Sequence, residues 1–309
     1  MEHAHDHAHD HAPGAQSNRT RLLIVMACGL AVMAAEVVGG LAANSLVLLA
    51  DAAHYATDVL AVGVAFLAIT VAMRPATAAR TFGYKRAEVL AAFVNAAALW
   101  GLSAYFLYEA YRRLRAPPGV DGTLVMAVGA FTLVANVLLA LALRRGGDHN
   151  LNVKAAYLHI LSDALGSAAA LAAGALVRLY GWTWADPALT VFVTLLILVF
   201  TWRLTRETLH ILLEGAPRHV DMEDLETTLR AMAPVQEIHE LHVWSLSSGA
   251  DVLSVHVVLD RSPQGDQITH DIHEAIRERF RIDHVTVQVE SPDCPCEMAR
   301  CGPAATKTA

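Results

Sequence analysis

Charge is scarce in this sequence. Asp, Glu, Lys and Arg supply 17% of its 309 residues while 55% are hydrophobic, the balance of a membrane protein rather than of a soluble domain. The little charge present lies mostly outside the apolar segments. With a formal net charge of -7, no basic stripe is left to neutralise phosphates, which excludes nucleic acid as a partner. Cysteine is equally sparse. Of the four cysteines, Cys28 stands alone in the first apolar segment, and Cys294, Cys296 and Cys301 crowd into the C-terminal tail. That is no secreted disulfide framework and fits reduced thiols facing the cytosol. The H-E-x-x-H of zinc hydrolases is also missing.

What is present is a series of long apolar runs. Residues 22–43 are enough to cross a ~30 Å hydrocarbon core, which takes about 20 helical residues. They are too long for the h-region of a cleaved signal peptide, the other reading of an N-terminal apolar run. Five more runs follow at 46–73, 87–109, 122–143, 153–178 and 187–206. Six spans bring both termini to one side. Arg19, Arg21, Arg74, Arg80, Lys85, Arg86, Arg144, Arg145, Lys154, Arg203 and Arg206 gather there and make it the cytoplasmic side. Arg112, Arg113 and Arg115 run against that count. Tyr105, Tyr108, Tyr111, Tyr180, Trp182 and Trp184 form an aromatic belt at the opposite interface.

The chain therefore divides into a disordered His-rich tail (1–20), a six-span domain (21–208), a soluble domain (209–291) and a flexible Cys-containing tail (292–309). His3, His5, His7, His9 and His11 alternate with Ala and Asp, a composition that collects metal weakly and builds no core. The soluble part reads helix (222–233), strand (237–246), strand (251–260), helix (266–280), strand (284–290). An antiparallel sheet with both helices on one face, an α+β ferredoxin-like sandwich, is the expected layering.

Ionisable residues inside a span cost at least ~2.5 kcal/mol each and point to function. Span two carries His54 and Asp58, and span five carries His159 and Asp163, in each case as H-x-x-x-D. Four residues is one helical turn, so each pair shares a face. Each pair also sits in the middle span of a three-span half. The second half is inverted relative to the first, so the pairs meet near the midplane, as in many secondary transporters. Two imidazoles and two carboxylates suit tetrahedral Zn²⁺. Mg²⁺, Ca²⁺ and Mn²⁺ favour oxygen-only shells, whereas Co²⁺ and Cd²⁺ accept the zinc set. The plainer reading, a hydrogen bond tying helices together, would have to arise twice in matched positions. Asp51, on the face of His54, reads as a partner of the ligands, a proton-pathway residue or a structural hydrogen-bonding group, and so does Glu36 in span one.

The segments NSLVLLADAAHYATDVLAV, RTFGYKRAEVLAAFVN, NVKAAYLHILSDALGS and ELHVWSL make the chain resemble the cation diffusion facilitators, in their zinc-transporting branch, from about residue 20 to 291. The resemblance implies a homodimer in a bacterial cytoplasmic membrane, both termini cytosolic, exchanging cytosolic Zn²⁺ for an outside proton by alternating access. It maps the transport site onto His54, Asp58, His159 and Asp163. It also implies zinc in the cytosolic domain, with His239, His242, His256, His284 and Glu290 as candidates and Cys294 and Cys296 as weaker ones. A further site that another branch has between spans two and three is not matched by RPATAARTFGYKR. Strand alternation puts His239 and His242 on opposite faces, leaving His256, His284 and Glu290 the better set, and assigns His270 and His273 to a solvated helix face.

The implied function is proton-coupled Zn²⁺ efflux, with Co²⁺ or Cd²⁺ as further cargo and no catalytic cofactor. Two alternatives belong to other classes. An intramembrane zinc enzyme lacks an open metal position and an extra base here. A membrane metal sensor differs from a transporter in moving no metal.

Overall fold

The computed structural model describes residues 13–144, 151–259 and 265–291. The histidines of the first eleven residues and the tail thiols Cys294, Cys296 and Cys301 lie outside them. Six long helices come first: α1 (Pro13–Ala43), α2 (Leu46–Ala72), α3 (Ala87–Arg115), α4 (Gly122–Arg144), α5 (Leu151–Tyr180) and α6 (Ala185–Leu212). Helix α1 begins ahead of the boundary drawn at residue 20, on a proline whose fixed φ suits a first helical turn. Helix α6 likewise runs past residue 208. Among the described residues five helices are long and apolar enough to cross a membrane, and the apolar stretch Ala27–Ala43 of α1 is shorter. Phe66, Leu67, Val134, Leu138, Val199 and Phe200 stand exposed on these helices, an outer surface made for lipid.

The chain forms two compact units, and α2, α3 and α6 pass from one into the other. In the first (Met1–Val62 with Asn95–Trp202, as far as described), the N-terminal half of α2 lies at the centre. Val47 and Leu48 pack with Val125 of α4, Ala169, Ala170 and Ala173 of α5 and Val193 of α6, while Leu46 and Ala50 pack with Phe106 and Ala110 of α3. Small residues let α4 and α5 approach closely. A Cβ added at Gly174 would lie 2.3 Å from the Met126 backbone nitrogen and 2.7 Å from its Cα. Because backbone cannot step aside, Gly174→Ala is expected to cost about 1–3 kcal/mol and to lower the melting temperature of detergent-solubilised protein by several degrees. Gly63→Ala, with nothing within 4 Å, is the control expected to leave melting unchanged.

The arginines that oppose the charge count are accounted for in this unit. Glu109 takes Arg112 at 3.0 Å and Arg113 at 3.1 Å, Arg113 also donates to the Asn44 carbonyl at 2.8 Å, and Arg112 and Arg115 lie over the Tyr108 and Tyr111 rings. At the last turn of α3 they also meet the partial negative end of the helix dipole, a favourable placement for cations. Their charge is used locally.

The second unit comprises Gly63–Val94 and the chain from Arg203, as far as described. After α6 come α7 (Met222–Arg230), β1 (Val235–Ser247), β2 (Ala250–Leu259), α8 (Gly265–Ala275) with a π-helical turn at Ile276–Phe280, and β3 (His284–Glu290). Asp221 caps α7, accepting from the backbone of Glu223 and Asp224. The strand order is β1-β2-β3. Leu225 and Leu229 of α7 and Ile268 and Ile272 of α8 share one core with Leu253, Val255 and Val257 of β2, so both helices cover the same face.

The antiparallel expectation is half corrected. β1 and β2 pair antiparallel through a tight turn, but β2 and β3 pair parallel. The reason is the connection: a helix between two strands returns the chain to the starting end of the sheet, whereas a hairpin reverses it.

Candidate metal centres

The H-x-x-x-D pairs converge. Asp58 Oδ2 lies 3.8 Å from His54 Nε2 and 3.5 Å from His159 Nε2, and His159 Nε2 lies 3.8 Å from Asp163 Oδ2. The two imidazole rings meet edge to face, with centroids 6.3 Å apart. These separations exceed hydrogen-bonding distance, so none of the three contacts is the helix-tying hydrogen bond of the plainer reading. They are close to the edges of a zinc tetrahedron, since ligand atoms about 2.0–2.2 Å from the ion stand about 3.3–3.6 Å from one another. Among the described residues, His54 Nδ1, Asp58 Oδ2 and Asp163 Oδ1 are buried without a hydrogen-bond partner. Access is graded: the Asp163 side chain is 4% exposed and that of His159 49%.

A buried polar layer backs this centre. Tyr55 Oη donates to Asn136 Oδ1 at 2.9 Å, and Asn136 Nδ2 donates to Ser167 Oγ at 3.1 Å. Asp51 and Glu36 are both buried. Gly166 makes room for Asp51, because a Cβ there would lie 2.5 Å from Asp51 Oδ1. At the far end of α2, Asp186 Oδ2 accepts from the Leu46 backbone N–H at 2.7 Å and Oδ1 from Ser45 Oγ at 2.5 Å, pinning α2 to the start of α6. The sequence reading did not single out Asn136, Ser167 or Asp186. For Asn136 and Ser167 the signal was available, since polar residues inside apolar spans are costly, whereas Asp186 lies just ahead of the run at 187–206.

In the second unit the described residues hold one group of at least three potential metal ligands, His239, His256 and Glu290, with ligand atoms within 4.8 Å of one another. His256 Nδ1 lies 3.0 Å from Glu290 Oε1 and His239 Nε2 lies 3.4 Å from Glu290 Oε2. The sheet explains the grouping. His239 is directly opposite His256, and Glu290 pairs with Val258, on the same face as His256 and two residues along.

Two expectations are corrected here. His239 and His242 do not point to opposite faces. A bulge between them, with Glu240 at φ 50, absorbs an extra residue, so they oppose His256 and Ser254, two positions apart on one face of β2. His242 is nevertheless engaged elsewhere, 2.9 Å from Glu240. His284 cannot join Glu290, because it opens β3 opposite Val252 while Glu290 closes it, about 20 Å away at ~3.3 Å per residue. Its ring meets Phe82 edge-on at 5.4 Å. On α8, His270 is exposed, but His273 contacts the Thr269 carbonyl at 2.7 Å and the Val285 carbonyl at 3.1 Å, joining helix to strand rather than facing solvent.

Comparison with known proteins covers both units. Residues 22–213 match the cation efflux transmembrane domain and residues 217–292 the cytoplasmic domain of cation efflux proteins. The chain is 42% identical over 298 residues to the metal cation efflux system protein CzcD of Cupriavidus metallidurans, covering 96% of this chain and 92% of that one. It is 40% identical to a cadmium, cobalt and zinc/H⁺-K⁺ antiporter of Bacillus subtilis, covering 89% and 90%. It is 39% identical to the zinc transporter ZitB of Escherichia coli, covering 95% and 96%.

Proposed function

The chain belongs to the cation efflux family of multi-pass membrane transporters, and we propose that it carries Zn²⁺ out of the cytosol against protons through His54, Asp58, His159 and Asp163. It is a transporter and not an enzyme, so the intramembrane hydrolase falls away. The observation that carries the site is the meeting of the two H-x-x-x-D pairs, with Asp58 Oδ2 3.8 and 3.5 Å from the two histidines. Similarity to proteins named for zinc, cadmium and cobalt efflux supports zinc as cargo, with the other two as secondary cargo.

The same four groups serve both ions. Zinc needs neutral imidazoles and ionised carboxylates, so binding releases protons and protons displace zinc. An inward-facing site at cytosolic pH loads metal, and an outward-facing site in a more acidic medium exchanges it for protons. Glu36 and Asp51, buried behind the centre, form the route for those protons. The membrane part has six spans with both termini cytosolic in a bacterial inner membrane. The αββαβ order and single helical layer of the cytosolic part support a ferredoxin-like fold, and its match to a dimerising family domain supports a homodimer.

His239, His256 and Glu290 suit a regulatory Zn²⁺ in the cytosolic domain, supplying two nitrogens and a carboxylate from three adjacent strands. His239 Nδ1 is buried with no partner among the described residues. In equilibrium dialysis of the full-length protein, His256→Ala is expected to lose one tightly bound zinc per chain while His242→Ala keeps it. Equal stoichiometry in both would remove this site.

The test of function is metal flux into proteoliposomes bearing a pH gradient, with Co²⁺, Cd²⁺ and Mn²⁺ as competitors. Gradient-driven zinc entry, inhibited by Co²⁺ and Cd²⁺ and not by Mn²⁺, is expected. Binding without flux would favour a sensor.

A further inference from the structure

A small cavity between α2, α3 and α6 is lined in part by His54. Its walls are apolar, with Leu102, Phe106 and Ile197 among them, except for His54, Ser103 and Thr194. The space open to the centre of a water-sized sphere is about 10 Å³, roughly what one water needs.

Two of the polar groups there are spare. Thr194 is 2% exposed and its Oγ1 has no partner among the described residues. Its neighbours on α6 behave differently: Thr190, Thr201 and Thr208 each donate to the carbonyl four residues back. Thr194 keeps its hydroxyl for something else. His54 presents the same contrast, since its Nδ1 is buried and unpartnered whereas His273 fills its Nδ1 with a carbonyl four residues back. Its other nitrogen, Nε2, is the one that faces Asp58.

A histidine that binds metal through one nitrogen must carry its proton on the other. That N–H regularly donates to a carboxylate, carbonyl or water, which fixes the tautomer and the ring. We propose that Thr194 and Ser103 hold a single water in this cavity that accepts the Nδ1–H of His54, so that Thr194 is a positioning residue for the transport site. The water accepts from His54 Nδ1 and from the Thr194 hydroxyl and donates to Ser103 Oγ, giving the three bonds typical of a buried water. His54 is then locked with the Nε2 lone pair directed at the metal. The inference rests on the reading of His54 as a zinc ligand.

The test compares Thr194→Val, Thr194→Ser, Ser103→Ala and His54→Ala by zinc flux in proteoliposomes, and by chelator competition for zinc on full-length protein also carrying His256→Ala. Thr194→Val preserves shape and removes the hydroxyl. It is expected to raise KM for zinc about 10–100-fold, the usual cost of losing an outer partner, with saturating flux within about threefold of native. Thr194→Ser restores KM, and Ser103→Ala, on a different helix, shifts it the same way as Thr194→Val. A merely structural threonine would lower melting and flux together and leave KM unmoved. Native KM in both Thr194→Val and Ser103→Ala, with zinc lost in His54→Ala, overturns the water-mediated role and leaves the site standing. Native zinc affinity in His54→Ala overturns the site itself.

Discussion

Asp163→Ala is expected to reduce zinc flux in proteoliposomes on the order of 100-fold. The argument is electrostatic. Zn²⁺ with ionised Asp58 and Asp163 forms a neutral centre between α2 and α5, and removing one carboxylate leaves a net positive charge there. On the translocon scale such a charge costs about 2.5–3.5 kcal/mol at the middle of a span, and ~1.4 kcal/mol is tenfold. Asp163 cannot be relieved by water, because it is 4% exposed. Asp163→Asn, which keeps the shape and loses the charge, is therefore expected to fail nearly as badly. His159→Ala removes a neutral ligand from the more exposed side of the centre and is expected to cost less. Native flux in both aspartate variants would remove Asp163 from the centre, and a histidine variant worse than both would reverse the electrostatic argument.

Zinc affinity at the same centre is expected to fall by more than about tenfold from pH 7.5 to 5.5. Zinc binds an imidazole only through a deprotonated ring nitrogen, and two histidines in one shell compound their dependences on pH. The sign follows from competition. Protons and metal contend for the same nitrogens, so binding is strong at the higher pH and weakens as pH falls. With one histidine removed, His159→Ala should show a shallower pH dependence than native. Chelator competition at fixed free zinc across that range reads both slopes. An unchanged slope in His159→Ala would separate proton coupling from this pair of histidines and move it to Glu36 and Asp51.

Much of this molecule was legible because a bilayer restricts what a sequence can do. Five of the six apolar runs became helices that begin within two residues of their expected starts, whereas α1 begins nine residues early and α3 and α6 each run six residues long, and two H-x-x-x-D motifs at one helical turn met because their helices pack. The buried layer behind them was harder to see. Tyr55, Asn136, Ser167 and Thr194 lie on α2, α4, α5 and α6, and only packing reveals that the first three form a chain while the fourth lines the same cavity as His54. The cytosolic site shows where periodicity fails. Strict alternation separated His239 from His242, but one residue in the left-handed region at Glu240 shifted the register and put both on one face. His284 and Glu290 share a strand, yet a strand separates its ends as effectively as it aligns neighbours, so Glu290 joins His239 and His256 across the sheet.

The most direct test of the intramembrane centre is zinc X-ray absorption on full-length protein in which His239, His256 and Glu290 have been replaced, so that the remaining tightly bound zinc reports on one place. The expected first shell is two imidazole nitrogens and two carboxylate oxygens at about 2.0–2.2 Å, lost together with zinc flux in His54→Ala. A shell containing sulfur at about 2.3 Å, or one unchanged by His54→Ala, would contradict a zinc path through His54, Asp58, His159 and Asp163.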